Sequence, residues 1–327
     1  MIYIKPCFYD NFKCKADKCT DNCCIGWEID IDDETLEKYN SVSGDFGDIL
    51  RANIIKSPDG SNCFKLKEKE RCAFLNENNL CDIIINCGEN ALCDICREHP
   101  RFYEWFPGVT ECGLGLSCEE VCRIILENNA PLTFSEYNDG EKIQLTDKDD
   151  IAESDTYIFL SSLRDVFFDI LKSETLSLEE KLVKILEKTE QFTGEKCRLH
   201  NERNLVDLYM KTEPVDDLWT EYINDLSEKL SQIIKSDAIS REDLNQSYSK
   251  VLTYILYRHF IKAVFDRGIC ERVCFSIDSL RFLILCDKKT IFEKGGLTLT
   301  DRIDNLKRWS KQIEYSEENT DFLIFGE

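Results

Sequence analysis

Cysteine placement constrains this chain more than any other feature. The sequence holds 18 cysteines, and 14 of them fall at or before Cys122. None occurs between Cys122 and Cys197, and the other four (Cys197, Cys270, Cys274 and Cys286) are scattered. A dense, even-numbered cysteine set often marks a disulfide scaffold, but such scaffolds are short and carry a secretory leader. This chain has 327 residues. Its opening, MIYIKPCFYDNFKCKADKC, lacks the long apolar core and small-residue cleavage site of a leader. In a reducing compartment, thiols clustered this way are read as metal ligands. The first third is therefore expected to bind a metal or iron–sulfur centre, in a soluble, cytoplasmic protein.

Charge narrows the partners. The 41 Lys and Arg against 63 Asp and Glu leave a net charge of −22. Such a surface repels phosphate backbones and anionic headgroups, so neither nucleic acid nor membrane is expected as a partner. Basic protein substrates are compatible with it, as is plain solubility. No segment approaches the roughly 18 uninterrupted apolar residues of a spanning helix. With 43% hydrophobic residues, there is enough apolar surface for a substantial core.

Periodicity divides the chain, and the fold class it points to is mainly α: a cysteine-rich region with short strands and loops, then a helical bundle. Residues 1–130 hold short segments broken by the turns SVSGDFGD, SPDGSN, LNENN and FPGV. WEIDID (Trp27 to Asp32) alternates enough to predict a short strand, and the acidic start of DDETLEKYN predicts a helix from Asp32. Residues 131–150 read as a connector with room for a small hairpin. Residues 151–327 read as helical. There Ile158, Leu160, Leu163, Val166, Phe167, Ile170 and Leu171 recur at 3–4 spacing. Ser177 with Glu180 forms a capping-box signature ahead of a second helix. NERNLVDLYM, DDLWTEYINDLSEKLSQIIKS, REDLNQSYSKVLTYILYRHFIKAVFD and TDRIDNLKRWSKQI continue the run, and ERVCFSIDSLRFLILCDKK is apolar enough for a buried helix.

Three cysteine groups carry the chemistry. CKADKCTDNCC places Cys14, Cys19, Cys23 and Cys24 on one polar segment, and RCAFLNENNLC adds Cys72 and Cys81. LCDIC supplies Cys93 and Cys96 ahead of REHPR, and GLSCEEVC supplies Cys118 and Cys122. The Cys93/Cys96 pair is the sharpest local signal, because two intervening residues let one turn present both sulfurs to one centre. A redox dithiol has the same spacing, but the thioredoxin-like βαβ context is missing here. Soft thiolates select zinc, copper(I) or iron–sulfur clusters. Histidine is scarce (His99, His200 and His259), which disfavours a mixed zinc site, and His99 reads as a turn residue before Pro100. The CxxxCxxC spacing of radical enzymes is absent: Gly26 follows Cys19 and Cys23, and Ile125 follows Cys118 and Cys122. GxGxxG, Walker, HExxH and GxSxG motifs are absent too. Trp27, Tyr103 and Trp105 read as packing around a small ligated core.

In order, CTDNCCIGWEIDID (Cys19–Asp32), CAFLNENNLCDI (Cys72–Ile83), ENALCDICREHPR (Glu89–Arg101) and ECGLGLSCEEVCRIIL (Glu111–Leu126) resemble the FliB-type flagellin lysine N-methylase family. That family lies within a broader class of zinc- or iron-chelating cysteine-cluster proteins. The resemblance covers roughly the first 130 residues. It implies a protein-lysine N-methyltransferase with a cysteine-held [4Fe–4S] cluster, zinc being the alternative. S-adenosylmethionine is the implied donor, and flagellin or another lysine-bearing protein the implied acceptor. By the same resemblance, Cys19, Cys23, Cys24, Cys72, Cys81, Cys93, Cys96 and Cys118 match motif positions. A cubane needs about four thiolates, so half of these have other work. Cys81 and Cys96 come first, then Cys93 with one of Cys23 and Cys24, then Cys72. Arg97 and Arg101, beside the CxxC, could offset the charge of the centre or anchor the donor's carboxylate. The acceptor lysine must be deprotonated, and Glu98, Glu104 and Glu111 are candidate bases by proximity. Two other classes compete: a non-enzymatic zinc-stabilised binding or metal-handling module, and a thiol redox or metal-sensing protein using Cys93 and Cys96.

Overall fold

The computed structural model describes residues 1–140, 145–236 and 242–326. Within them the chain divides into two units. One comprises Phe12–Phe102 with Cys118–Glu120; the other comprises Met1–Asn11, Tyr103–Ser117 and everything from Val121 onward.

The cysteine-rich unit is built from short elements. Helix α1 (Asp33–Ser41) starts where its acidic signal places it, with the Asp32 carboxylate accepting from the Thr35 N–H. Helix α2 (Asp45–Ala52) follows closely, and a Cβ at Gly47 would lie 2.0 Å from the Val42 carbonyl oxygen, so only glycine fits there. Strands β2 (Ile54–Lys56) and β3 (Asn62–Phe64) form a hairpin across the SPDGSN turn. WEIDID does not form the predicted strand. It is extended and meets β3 at one bridge, Asp30 with Cys63, with Ile31 N donating to Asn62 O and Phe64 N to Ile29 O. The alternation is real but short: Ile29 and Ile31 turn inward at 2% and 5% exposure, and Asp32 then leaves the strand to cap α1. Helices α3 (Asp82–Cys87) and α4 (Asp94–Glu98) complete the unit.

The helical unit opens on a sheet that sequence periodicity did not reveal. Among the described residues it has four strands in the order β4 (Arg101–Phe106), β5 (Val109–Leu114), β1 (Ile2–Pro6), β6 (Phe134–Asn138). The FPGV turn joins β4 to β5 with Gly108 at φ +85°. Strand β1 runs parallel to β5 (Ile2 opposite Val109) and antiparallel to β6 (Pro6 opposite Phe134). The expected connector therefore contributes a sheet strand. Any return strand of a hairpin there would fall on 141–144, outside the described residues.

The helices follow their periodicity. After α5 (Glu119–Glu127) comes α6 (Lys148–Lys172), which buries Leu160, Leu163, Phe167 and Leu171 but leaves Ile158 and Val166 exposed. Helix α7 (Leu178–Thr193) has the predicted Ser177/Glu180 capping box. Then come α8 (Glu202–Tyr209), α9 (Asp217–Lys235), α10 (Glu242–His259), α11 (Ala263–Asp266), α12 (Ile269–Lys294), α13 (Leu299–Ile313) and α14 (Glu317–Phe325). Helix α12 is the buried one, covered on nearly all sides, as expected for a helix apolar around its circumference. Phe282 on α12 stacks on Tyr209 at 3.7 Å between centroids, and the Tyr209 hydroxyl accepts from Trp309 Nε1. Among the described residues, no helix is long and apolar enough to cross a membrane.

Candidate metal centre

The core of the cysteine-rich unit is small. Ile29, Ile31, Tyr39, Leu50, Phe64, Phe74, Leu75 and Ile83 form it, with Phe64 edge-on to Phe74 at 5.0 Å. Cys72 and Cys93 belong to the same cluster, and Cys24, Cys81 and Cys96 pack against it. These five thiols come from four pieces of chain, Cys93 and Cys96 sharing one. Cys24 and Cys72 are tied by a backbone hydrogen bond, Cys72 N to Cys24 O at 2.9 Å. Cys81 bridges Leu75 and immediately precedes α3, while Cys93 precedes α4, which carries Cys96.

Local backbone serves the sulfurs. Amide groups of Phe74 and Leu75 point at Cys72, those of Ile83 and Ile84 at Cys81, and that of Cys96 at Cys93. Amides aimed at sulfur favour the thiolate. Burial opposes them and pushes the Cys72 and Cys81 thiols up. Cys93 and Cys96 share a proton: the Cys96 thiol donates to Cys93, so Cys93 is held down and Cys96 pushed up. Cys23 and Cys24 form a second such pair. The Cys24 hydrogen bond draws Cys23 down, against burial, with His99 adding to it, and Cys24 is pushed up by the same bond. A bound cation removes the proton altogether and reverses the cost of burial. Among the described residues, no three His, Cys, Asp or Glu side chains form a group that could hold a single metal ion as they stand.

The other sequence-derived candidates lie elsewhere, and Glu104 and Glu111 belong to the helical unit. Cys19 donates to the Asp21 carbonyl at 2.8 Å and lies 3.5 Å from Glu119 Oε2. Burial raises its thiol to about 11. Cys118 is half-buried and immediately precedes Glu119. Arg97 pairs with Asp94 and, at 3.4 Å, with Glu98. Arg101 lies over the Phe12 ring and reaches the Arg97 carbonyl at 3.4 Å. Of the glutamates, Glu111 is 1% exposed and locked by Arg164 and the Tyr157 hydroxyl, and Glu104 pairs with Lys262 at 2.7 Å.

Three residues escaped sequence reasoning. Tyr39 is buried beside Cys81, Cys93 and Cys96, with its hydroxyl on the Ala91 carbonyl at 2.7 Å. Glu119 is nearly buried and takes hydrogen bonds from Lys15 and from both the amide and hydroxyl of Thr20. Burial works against its charge, but those donors hold its carboxyl down at about 2. His99 does more than end a turn: it reaches Cys23, and its ring lies 6.1 Å from that of Trp27, whose Nε1 donates to the Cys23 carbonyl. All three depend on partners distant in sequence. Only the nearness of His99 to Cys96 offered a signal.

Comparison with known proteins gives this arrangement a context. The chain is 30% identical over 137 residues to the flagellar biosynthetic protein FliU of Salmonella muenchen, covering 40% of this chain and 81% of that protein. It is 28% identical over 145 residues to the lysine-N-methylases of Salmonella choleraesuis and Salmonella typhimurium, covering 40% of this chain. The match spans about a third of each methylase, 34% of its length. No family model matches the chain, and no solved structure matches it. The extent of the match to FliU, with the two methylases beside it, places the chain in the family of FliU and the FliB-type lysine N-methylases.

Proposed function

We propose that this protein is a cytoplasmic protein-lysine N-methyltransferase acting on flagellin or a similar protein. In this reading it is built on a cysteine-ligated [4Fe–4S] cluster with S-adenosylmethionine as methyl donor. The carrying observation is the gathering of Cys24, Cys72, Cys81, Cys93 and Cys96 about one small core, in a relative of proteins named lysine-N-methylase. The donor set fits a soft centre, being all sulfur and flanked by backbone amides. Four of these five thiols would hold the cluster; Cys23 is hydrogen-bonded to Cys24, and Cys19 lies beside Glu119. When bound, the cluster supplies redox-active, Lewis-acidic iron, and S-adenosylmethionine supplies an activated methyl group.

The rest falls to the chain's own side chains. Arg97 and Arg101 follow directly on the CxxC and present guanidinium groups suited to a carboxylate. The acceptor lysine must shed its proton before its nitrogen can attack. Glu111, Glu104 and Glu98 are engaged by Arg164, Lys262 and Arg97 respectively, so the base is not assigned to any one of them.

Anaerobic purification with iron, sulfide and zinc analysis and a visible spectrum tests the centre. Iron with matching sulfide and a broad thiolate-to-iron band is expected; stoichiometric zinc without sulfide overturns the cluster and favours a zinc-stabilised module. Mass spectrometry of flagellin incubated with the protein and S-adenosylmethionine tests the activity. Added methyl masses on lysine are expected, and unchanged masses remove the methylase reading.

A further inference from the structure

The four late cysteines look scattered in sequence, yet three of them meet. Cys197 lies in the loop after α7, and Cys270 and Cys274 stand one turn apart on α12. The Cys197 thiol is within hydrogen-bonding reach of both Cys274 and Cys270, and Cys270 Sγ lies 3.4 Å from Thr193 Oγ1. All three line one cavity of about 220 Å³ in the helical unit. Cys197 and Cys274 are partly exposed to it, whereas Cys270 is 6% exposed. The loop's position is set by His200, whose amide and Nδ1 both meet Asp278 of α12, at 3.1 and 2.8 Å.

We propose that Cys197 and Cys274 form a thiol–disulfide exchange site that takes a low-molecular-weight disulfide, with Cys274 attacking and Cys197 resolving. Cys274 is the better nucleophile in this pair. The Cys197 thiol donates to it and the Arg198 amide points at its sulfur, which holds it below the ordinary thiol range, while Cys197 is pushed up. The Cys274 thiolate attacks one sulfur of the disulfide RSSR, the S–S bond breaks, and RS⁻ leaves, taking a proton from solvent. Cys197 then attacks the Cys274 sulfur of the mixed disulfide. Its proton departs with the second RSH, and a Cys197–Cys274 bond remains. Two protein thiols are oxidised by two electrons and one RSSR is reduced to two RSH. The new bond would tie the loop after α7 to the buried helix and raise the melting temperature by roughly 5–10 °C.

The test uses the full reduced chain and oxidised glutathione, followed by a glutamyl-endopeptidase map under non-reducing conditions. Cleavage at Glu195, Glu202, Glu271 and Glu293 separates Cys197, Cys270 and Cys274 onto three peptides. The expected product joins residues 196–202 to residues 272–293, with fragmentation placing the bond at Cys274 rather than Cys286. Cys197→Ser should stop at one glutathionyl group on Cys274, and Cys270→Ser should still form the bond, with circular dichroism confirming that each variant folds. A Cys197–Cys270 bond overturns the assignment. So does a wild-type chain whose Cys197 and Cys274 stay reduced after the exposed Cys7 and Cys14 have reacted. Stoichiometric zinc that shields the three thiols overturns it in favour of a metal site.

Discussion

Cys93 in the cysteine-rich unit and Glu111 in the helical unit are buried almost equally, at 0% and 1% exposure, but the two units treat buried polarity differently. Glu111 has its full complement of partners: Arg164 Nη1 at 2.7 Å, Arg164 Nη2 at 2.5 Å and the Tyr157 hydroxyl at 2.5 Å. Glu314 is likewise held by Arg258 and His259, and Asp287 by Arg302, Tyr248 and Asn305. These three buried carboxylates of the helical unit are met by cationic partners within it. In the cysteine-rich unit, the five thiols meet each other and backbone amides. A fold of the first kind is complete as a chain. One of the second kind would gain stability from a bound cation such as the proposed centre, because metal affinity there would be folding free energy.

The sharpest break in that contrast is the double variant Cys93→Ala, Cys96→Ala. It should abolish metal or cluster content and strip amide-exchange protection from Ile29, Phe64 and Phe74, while α12 amides stay protected. Retained protection around Phe64 would mean that this unit, too, is complete without a ligand. Next in size, Glu111→Gln leaves the Arg164 guanidinium buried without its counter-charge and should cost about 3–5 kcal/mol by chemical denaturation. A loss below about 1 kcal/mol would show that water or a neighbour rescues Arg164.

A pH titration of stability probes the same contrast more gently. Burial holds His259 down at about 4, and its Nδ1 has no hydrogen-bond partner among the described residues, consistent with a neutral ring donating through Nε2 to Glu314. The unfolded chain takes up this proton near 6.5 and the folded chain does not. This contribution is therefore intact above about pH 6.5 and is lost as pH falls toward 4, by on the order of 3 kcal/mol. Glu314, also depressed, adds in the same direction at lower pH. His259→Gln should flatten the slope between pH 6.5 and 4; an unchanged slope places the proton uptake elsewhere. The smallest effect belongs to Ser177→Ala, which removes the α7 capping box and should cost about 1 kcal/mol in the helical unit alone. An unchanged melting curve would show that the capping box adds nothing to α7.

What could be read from the chain alone follows from the range of the interactions involved. The Asp32 start of α1, the Ser177 box and the all-round apolar α12 were legible because capping and periodicity act within a few residues. Motif order made eight cysteines legible as candidates, with Cys24, Cys72, Cys81, Cys93 and Cys96 among them. The gathering of those five about Phe64 and Phe74 was not legible. The sheet escaped because β1 and β5 pair across more than a hundred residues and carry little alternation, and the WEIDID strand failed because Asp32 is claimed by the helix it caps.

Sequence by itself determined that this is a thiol-rich, acidic, mainly helical chain, since composition and local periodicity require no partner. Tertiary structure decided which thiols meet. Cys72 reaches Cys24 through a backbone hydrogen bond, Tyr39 closes over Cys93 and Cys96, and Cys197 finds Cys274 because Asp278 fixes the loop that carries it. Each of these encounters pairs groups far apart in the chain. Spacing along a sequence cannot report a contact whose geometry is set by the burial of other side chains.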